Sequence, residues 1–225
     1  MVRSTAAGDE KILSYEDVVL RRSDLDILSG PEFLNDRIIE FYFSYLTSSS
    51  PSGTILFLSP AITFWVANCQ DAQAISDVLE PLNLPSYNII VFPVNNNEDV
   101  GRAEGGSHWS LLAYHKKGHA FLHHDSSSGM NRAHALRLFK CVSLFLDASG
   151  SLTYMEVADT PQQVNGYDCG LYVLAIAKVI SDWNEKNKEA DWNWVSEIKK
   201  QVTPANVAAL RGEVLELIRS MMGNK

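Results

Sequence analysis

The sequence predicts one α+β domain, with a mostly helical N-terminal part packed against a central sheet. Two observations carry this. Apolar, β-branched runs cluster in the middle of the chain, at 88–94, 108–115 and 120–125, whereas apolar residues on either side recur at steps of three and four. No internal repeat and no long linker divides the 225 residues, a length that fits one large domain or two small ones. A hydrophobic content of 46% and an aromatic content of 10% are enough for a sizeable core.

Taken in order, residues 1–11 are small, polar and charged and read as a flexible terminus, with the domain over 12–222. Ile12 to Val19 reads as a short strand and a turn of helix. Pro31 opens a helical pattern in which Leu34, Ile38, Phe41, Tyr42 and Tyr45 share one face, broken at Thr47 to Gly53. Ile55 to Leu58 is a short strand. Ser59 and Pro60 supply an N-cap and first helical residue for a helix to Asn68, and Asp71 to Leu79 forms a second helix, stopped near Pro81 and Pro85. After the strand Asn88 to Val94 comes a polar loop, Asn95 to Gly106. His108 to His115 and Ala120 to Asp125 form a hairpin around Lys116-Lys117-Gly118-His119. Ser126 to Gly129 is a turn, and Asn131 caps a helix carrying Ala135, Leu138, Val142 and Phe145. Leu152 to Val157 is a further strand. Val173, Ile176, Ile180 and Trp183 mark a helix that starts at or just after Cys169. Thr203 and Pro204 open a last helix with Val207, Leu210, Val214, Leu217 and Met221 on its face.

Composition narrows the function. Lysine plus arginine number 19 and aspartate plus glutamate 27, a net charge of −8, which disfavours nucleic-acid binding and suits a basic partner. No apolar run reaches the length of a membrane span, so no membrane role is expected. The three cysteines, Cys69, Cys141 and Cys169, form no C-x-x-C pair, which argues against a zinc site. Their odd count and the lack of a signal-peptide pattern point to reduced thiols in the cytoplasm and/or nucleus.

The chemistry concentrates at Cys169. A cysteine at a helix N-terminus meets unpaired N–H groups and the positive end of the dipole, which favour the nucleophilic thiolate. Free cysteines are also common as buried apolar residues, so the site needs partners. Of the six histidines, His108 stands out, because it follows Gly105-Gly106-Ser107 at the mouth of an apolar strand. His115 and His119 flank the basic turn and read as solvated, His123 and His124 either pack or face solvent, and His134 reads as helix surface. Asp125 ends the strand that pairs with the one begun at His108, so the hairpin brings the two together as base and orienter. Capping of the Ser126–Gly129 turn is the other use open to Asp125. The Gln163 amide and the Cys169 backbone N–H can supply an oxyanion hole, although a lone glutamine is also an ordinary loop residue.

The segments Gly106-Ser107-His108-Trp109-Ser110-Leu111-Leu112, His124-Asp125-Ser126 and Gln163-Val164-Asn165-Gly166-Tyr167-Asp168-Cys169-Gly170 resemble the Ulp-type ubiquitin-like-protein proteases, the sentrin-specific protease family, in that family's order His, Asp, Gln, Cys. Phe33-Leu34-Asn35-Asp36 resembles the family's Trp-Leu-Asn-Asp element. The resemblance spans about residues 12–222. Through Leu79-Glu80-Pro81-Leu82-Asn83-Leu84-Pro85 and the asparagine-rich loop, it is nearest to the deneddylase branch, which acts on the Nedd/Rub modifier.

The resemblance implies a papain-like, Ulp-type cysteine protease fold with a central mixed sheet flanked by helices. It implies His108 as general base and acid, Asp125 as its orienter, Cys169 as nucleophile and Gln163 as oxyanion donor. Trp109 would cover a channel for the modifier's Gly-Gly tail, since only glycine lacks the Cβ that such a lid excludes. Phe33 replaces the usual lid tryptophan without its indole N–H. Asp36 would lie near the tail or serve as a first-turn helix acid, and Gly106 and Asp168 complete the substrate-binding set. The activity implied is that of a thiol protease, an isopeptidase working without metal or cofactor on Nedd/Rub precursors and conjugates, as a monomer. Alternatives are the same fold acting on SUMO or ubiquitin, a non-catalytic modifier-binding module, and acyl transfer to an acceptor other than water. The loop 95–106 leads into His108 and is expected to be mobile when free and to close over the tail.

Overall fold

The chain opens with a hairpin of strands Lys11–Tyr15 (β1) and Val18–Arg21 (β2), then helices Arg22–Ser29 (α1) and Asp36–Ser49 (α2). Strand Ile55–Phe57 (β3), helices Pro60–Asn68 (α3) and Ala72–Leu79 (α4), and strands Ile89–Asn95 (β4), Trp109–His115 (β5) and Ala120–His124 (β6) follow. Helix Arg132–Leu146 (α5), strand Thr153–Glu156 (β7) and helices Cys169–Lys186 (α6), Trp194–Gln201 (α7) and Pro204–Gly223 (α8) complete the order. The structure is a computed structural model that describes residues 9–101, 105–146, 151–186 and 193–223.

The centre is a five-stranded mixed sheet in the order β3-β4-β5-β6-β7. Its outer pairs are parallel and its inner pairs antiparallel. Alternate residues of one strand feed two cores. Ile89 and Val91 join α2 and α6 on one face, while Ile90, Phe92 and Val94 join α3, α4 and α5 on the other. A sheet covered on both faces has no polar side, which is why β4 and β5 read as unbroken apolar runs. The register pairs Leu111 with His124, so the chain entering β5 and the chain leaving β6 meet at one edge of the sheet.

Several expectations are corrected. Ile12 to Val19 contributes to a hairpin, not to a strand and helical turn, because Glu16 takes φ 47° and reverses the chain before Val18. Residues 1–8 of the expected flexible terminus lie outside the described residues. Its last residues are held: the Asp9 carboxylate accepts from Ser23 N at 3.0 Å and Ser23 Oγ at 2.6 Å, and Lys11 opens β1. Pro31 does not open α2. Asn35 is the N-cap, its Oδ1 accepting from Ile38 N at 3.1 Å, and residues 31–34 form a non-helical strap. Helix α7, around buried Trp194 and Ile198, has no counterpart in the sequence reading. His115 is buried, its ring set edge-on against Trp183 and Trp194.

The polar loop after β4 is built as successive side-chain turns. Asn95 Oδ1 accepts from Asn97 N at 2.8 Å, Asn97 Oδ1 from Asp99 N at 3.0 Å, and Asp99 Oδ1 from Gly101 N at 2.9 Å. Side chains that replace backbone partners in this way order a segment without making it helix or strand. Residues 96–101 are thus loop and turn, as expected of this polar segment, and 102–104 lie outside the described residues.

Candidate active site

The position of Cys169 starts with Asn165. Its Oδ1 accepts from Tyr167 N at 3.1 Å and Asp168 N at 3.0 Å, a side-chain turn that aims the chain into α6. The Asp168 carbonyl accepts the first helical bond, from Tyr172 N at 3.0 Å, so Asp168 stands at the N-cap and Cys169 is the first helical residue. The amide groups of that turn have no intrahelical acceptor. Cys169 is fully buried. At Gly170, an added Cβ would stand 2.8 Å from Leu34 Cβ, so only glycine lets the strap lie on this turn.

The β5–β6 hairpin closes as expected. His108 Nε2 and Asp125 Oδ1 lie 2.6 Å apart, at residues only 2% and 5% exposed. Cys169 lies near enough to the same imidazole to help raise its pKa. With Nε2 committed to Asp125, Nδ1 is the nitrogen that faces the sulfur. Asp125 also receives Ser127 N on Oδ1 and Asn131 N on Oδ2, both at 2.9 Å. Turn capping and orienting the histidine are thus simultaneous roles of one carboxylate. Burial works against a charged His108, but the hydrogen bonds to Asp125 and Cys169, and their charges, outweigh it and raise its pKa to about 9. Burial pushes Asp125 up, and the N–H groups of His108, Asn131 and Ser127 outweigh that and hold it below the usual carboxylate range. At neutral pH the ring holds a proton between a carboxylate and a sulfur.

Gln163 lies alongside. Its Oε1 accepts from Ser126 Oγ at 2.9 Å and its Nε2 donates to Asn165 O at 2.7 Å, which leaves the amide a second hydrogen to donate. The neighbouring Gln162, absent from the sequence reading, joins the two loops: Nε2 donates to Asp125 O at 2.9 Å and Oε1 accepts from Ser128 N at 2.8 Å.

A cleft of about 440 Å³ leads to this constellation, lined among others by Phe33, Leu34, Asp36, Gly106, His108 and Trp109. Trp109 is buried, and its indole N–H donates to Leu34 O at 3.0 Å, pinning the strap. Phe33 is 47% exposed beside it. Asp36 is both the first residue of α2 and part of the cleft wall. Gly106 has φ 80°, and a Cβ there would run into the Asn95 side chain.

Asp168 is corrected as a substrate-binding residue. Its carboxylate goes to Arg211 Nη2 at 2.9 Å and Asn165 Nδ2 at 2.7 Å, and it does not line the cleft. Arg211, on α8, also donates to the carbonyls of Ile27, Gly30 and Glu32, each at 3.0 Å. One guanidinium thereby ties the N-cap of α6 to the strap beside the cleft.

His123 and His124 are buried away from the cleft. His123 bridges Ser110 Oγ and Glu156, each at 2.9 Å, in the shape of a serine relay, but none of the three lines the cleft. Burial pushes His124 down to about 3, so it is neutral, and its Nδ1 meets Thr160 Oγ1 at 3.3 Å. Asn131 precedes α5, but its side chain does not cap it. The amide reaches back to Val94 O at 2.9 Å and His108 O at 3.2 Å.

A model of the Ulp1 protease family, C-terminal catalytic domain, matches residues 32–213. NEDD8-specific protease 1 of Arabidopsis thaliana is 52% identical over 218 residues, which cover 96% of each chain. Sentrin-specific protease 8 of Homo sapiens is 33% identical over 217 residues, 95% of this chain and 98% of that one. Among solved structures, the C-terminal Ulp1 protease domain in complex with Smt3, the yeast ortholog of SUMO, superposes with a TM-score of 0.66 at 19% identity, covering 96% of this chain and 90% of that one.

Proposed function

This chain belongs to the Ulp1 protease family, and from that premise we propose that it is a cysteine isopeptidase and C-terminal hydrolase that cuts after the Gly-Gly end of a NEDD8-type modifier. The observation that supports the reading is the burial of Cys169 near the bonded pair His108 and Asp125, beside a cleft lined by His108 and Trp109. The relatives named for NEDD8 support the choice of modifier.

The residues then divide the work as follows. The Cys169 sulfur attacks the carbonyl carbon of the last glycine, and its charge passes to the carbonyl oxygen. The Cys169 N–H and the Gln163 amide donate to that oxygen. His108 hands its proton to the departing amine as the C–N bond breaks, which leaves a thioester on Cys169. Water attacks the thioester with His108 as base, and the sulfur leaves with the modifier's carboxylate freed. Asp125 holds the ring with Nδ1 toward the sulfur throughout. The cleft wall of Trp109, Phe33 and Gly106 suits a tail without side chains. Three free cysteines fit a reducing compartment, the cytoplasm or nucleus.

The test is a matched set of fluorogenic C-terminal amides of NEDD8, ubiquitin and SUMO, assayed with the wild type and with Cys169→Ala. The expected result is turnover of NEDD8 above both others and none by Cys169→Ala. Turnover by Cys169→Ala overturns the mechanism, and equal cleavage of ubiquitin overturns the modifier assignment.

A further inference from the structure

We infer that Asn96 and Asn131 are positioning residues for His108: they grip its backbone from two sides, one as acceptor and one as donor, and so fix where its ring stands between Asp125 and Cys169. The inference rests on the cysteine-protease reading of the site.

His108 lies just outside the regular ladder. The β4–β5 register ends at the pair Asn95 and Trp109, and the β5–β6 register ends at Leu111 and His124. Past the ladder one backbone bond still reaches His108, from Asn96 N to its carbonyl at 3.3 Å. Side chains supply the rest. Asn96 Oδ1 accepts from His108 N at 3.1 Å and from Ser107 N at 2.7 Å. Asn131 Nδ2 donates to His108 O at 3.2 Å and to Val94 O at 2.9 Å. Two N–H groups can be met only by an oxygen, and two carbonyls only by an NH2, so the orientation of each amide is fixed by its partners.

Asn131 does more than hold a carbonyl. It is fully buried, and its own N–H donates to Asp125 Oδ2 at 2.9 Å. One residue thus touches the base through its backbone and the orienter through its carboxylate, and sets the span that the 2.6 Å His108–Asp125 bond bridges. Neither asparagine belongs to the relay. Both act through the place they give it, and a displacement of about 1 Å in such a group costs on the order of 100-fold in rate.

The two grips have opposite polarity, which gives the test its sign. Aspartate keeps the acceptor at 96, where Ser107 Oγ can turn to donate, but destroys the donor at 131, where a carboxylate would face two carbonyls. Asn96→Asp, Asn96→Ala, Asn131→Asp and Asn131→Ala are compared with the wild type and Cys169→Ala on the fluorogenic NEDD8 amide, with kcat expressed per Cys169 titrated by an alkyne-ended NEDD8 probe. Iodoacetamide alkylation of the Cys169 peptide is followed against pH by mass spectrometry, without substrate. Asn96→Ala and both Asn131 variants are expected to lose roughly 10- to 100-fold in kcat with KM little changed, while Asn96→Asp stays near wild type. In the three impaired variants the alkylation profile departs from that of the wild type, because a displaced ring no longer meets the sulfur.

A role in stability alone lowers the titratable fraction but leaves kcat per site and the alkylation profile at wild-type values, and that result overturns the inference. Asn96→Asp as impaired as Asn96→Ala overturns it too, and this pair decides the matter if the Asn131 variants do not fold. Turnover by Cys169→Ala would instead remove the reading on which the inference rests.

Discussion

Replacing Asp125 by asparagine tests the relay at its most constrained atom pair. The carboxylate receives three N–H groups: His108 Nε2 at 2.6 Å and Ser127 N at 2.9 Å on Oδ1, and Asn131 N at 2.9 Å on Oδ2. An amide has one oxygen. If that oxygen keeps the place of Oδ1, the new NH2 opposes the Asn131 N–H, and a buried donor left without an acceptor costs about 1–3 kcal/mol of stability. If the amide turns over, its NH2 opposes Ser127 N and points at His108 Nε2. The ring then accepts there and carries its hydrogen on Nδ1, toward the sulfur, where it cannot act as a base. Both arrangements remove the negative charge that helps hold the His108 proton. We expect kcat to fall by about 100- to 10,000-fold with KM little changed, and the melting temperature to drop by several degrees. Steady-state cleavage of a fluorogenic NEDD8 amide across pH reads both effects. The alkaline limb of the wild-type profile should follow His108 at about 9 and move down toward the ordinary histidine range in the variant. Wild-type kcat with an unmoved limb would refute the reasoning and leave Asp125 as a turn cap only.

Three further outcomes follow from the same contacts. Gly170→Ala places a methyl group 2.8 Å from Leu34 Cβ, and overpacking of this kind costs about 1–3 kcal/mol; an unchanged urea midpoint would contradict the packing of the strap on α6. Arg211→Gln breaks a pair whose side chains are only 13% and 9% exposed, with an expected loss of about 3–5 kcal/mol and a raised KM as the strap loosens; wild-type thermal stability and KM would contradict it. Because the folded His108 titrates above its ordinary 6.5, at about 9, its pairing adds stability that is fully present below the lower value and is lost as pH rises through the higher. The stability gap between wild type and His108→Ala, read from urea midpoints, should therefore close between those two pH values, and a constant gap would contradict the ion-pair account.

The relay was legible in the sequence because each part depends on local pattern. A hairpin must bring its outer ends together, which places His108 against Asp125, and an apolar helical period starting after Cys169 puts that residue at a helix N-terminus. The supports of the relay were not legible. Asn96, Asn131 and Gln162 bond mainly to backbone groups, up to 37 residues away, and no residue-type spacing marks such contacts. Arg211 reaches carbonyls 179–184 residues earlier in the chain. The same limit applies to Asp168, which the resemblance placed in the substrate-binding set and whose partner, Arg211, comes from α8. Pro31 misplaced the start of α2, since a proline fits an N-terminal turn and an extended strap equally well, and only the Asn35 cap separates them. His115 read as solvated beside a basic turn because nothing local announces Trp183 and Trp194.

The most direct test of the account is covalent. The wild type is treated with NEDD8, ubiquitin and SUMO, each carrying a C-terminal alkyne, and the adducts are mapped by intact mass and peptide sequencing. Burial pushes the Cys141 thiol above its ordinary value, and Cys69 caps the C-terminus of α3 outside the cleft. The account predicts one adduct, on Cys169, formed with the NEDD8 probe in preference to the other two and lost in Cys169→Ala. Labelling of Cys69 or Cys141 in its place, or undiminished labelling of Cys169→Ala, would contradict it.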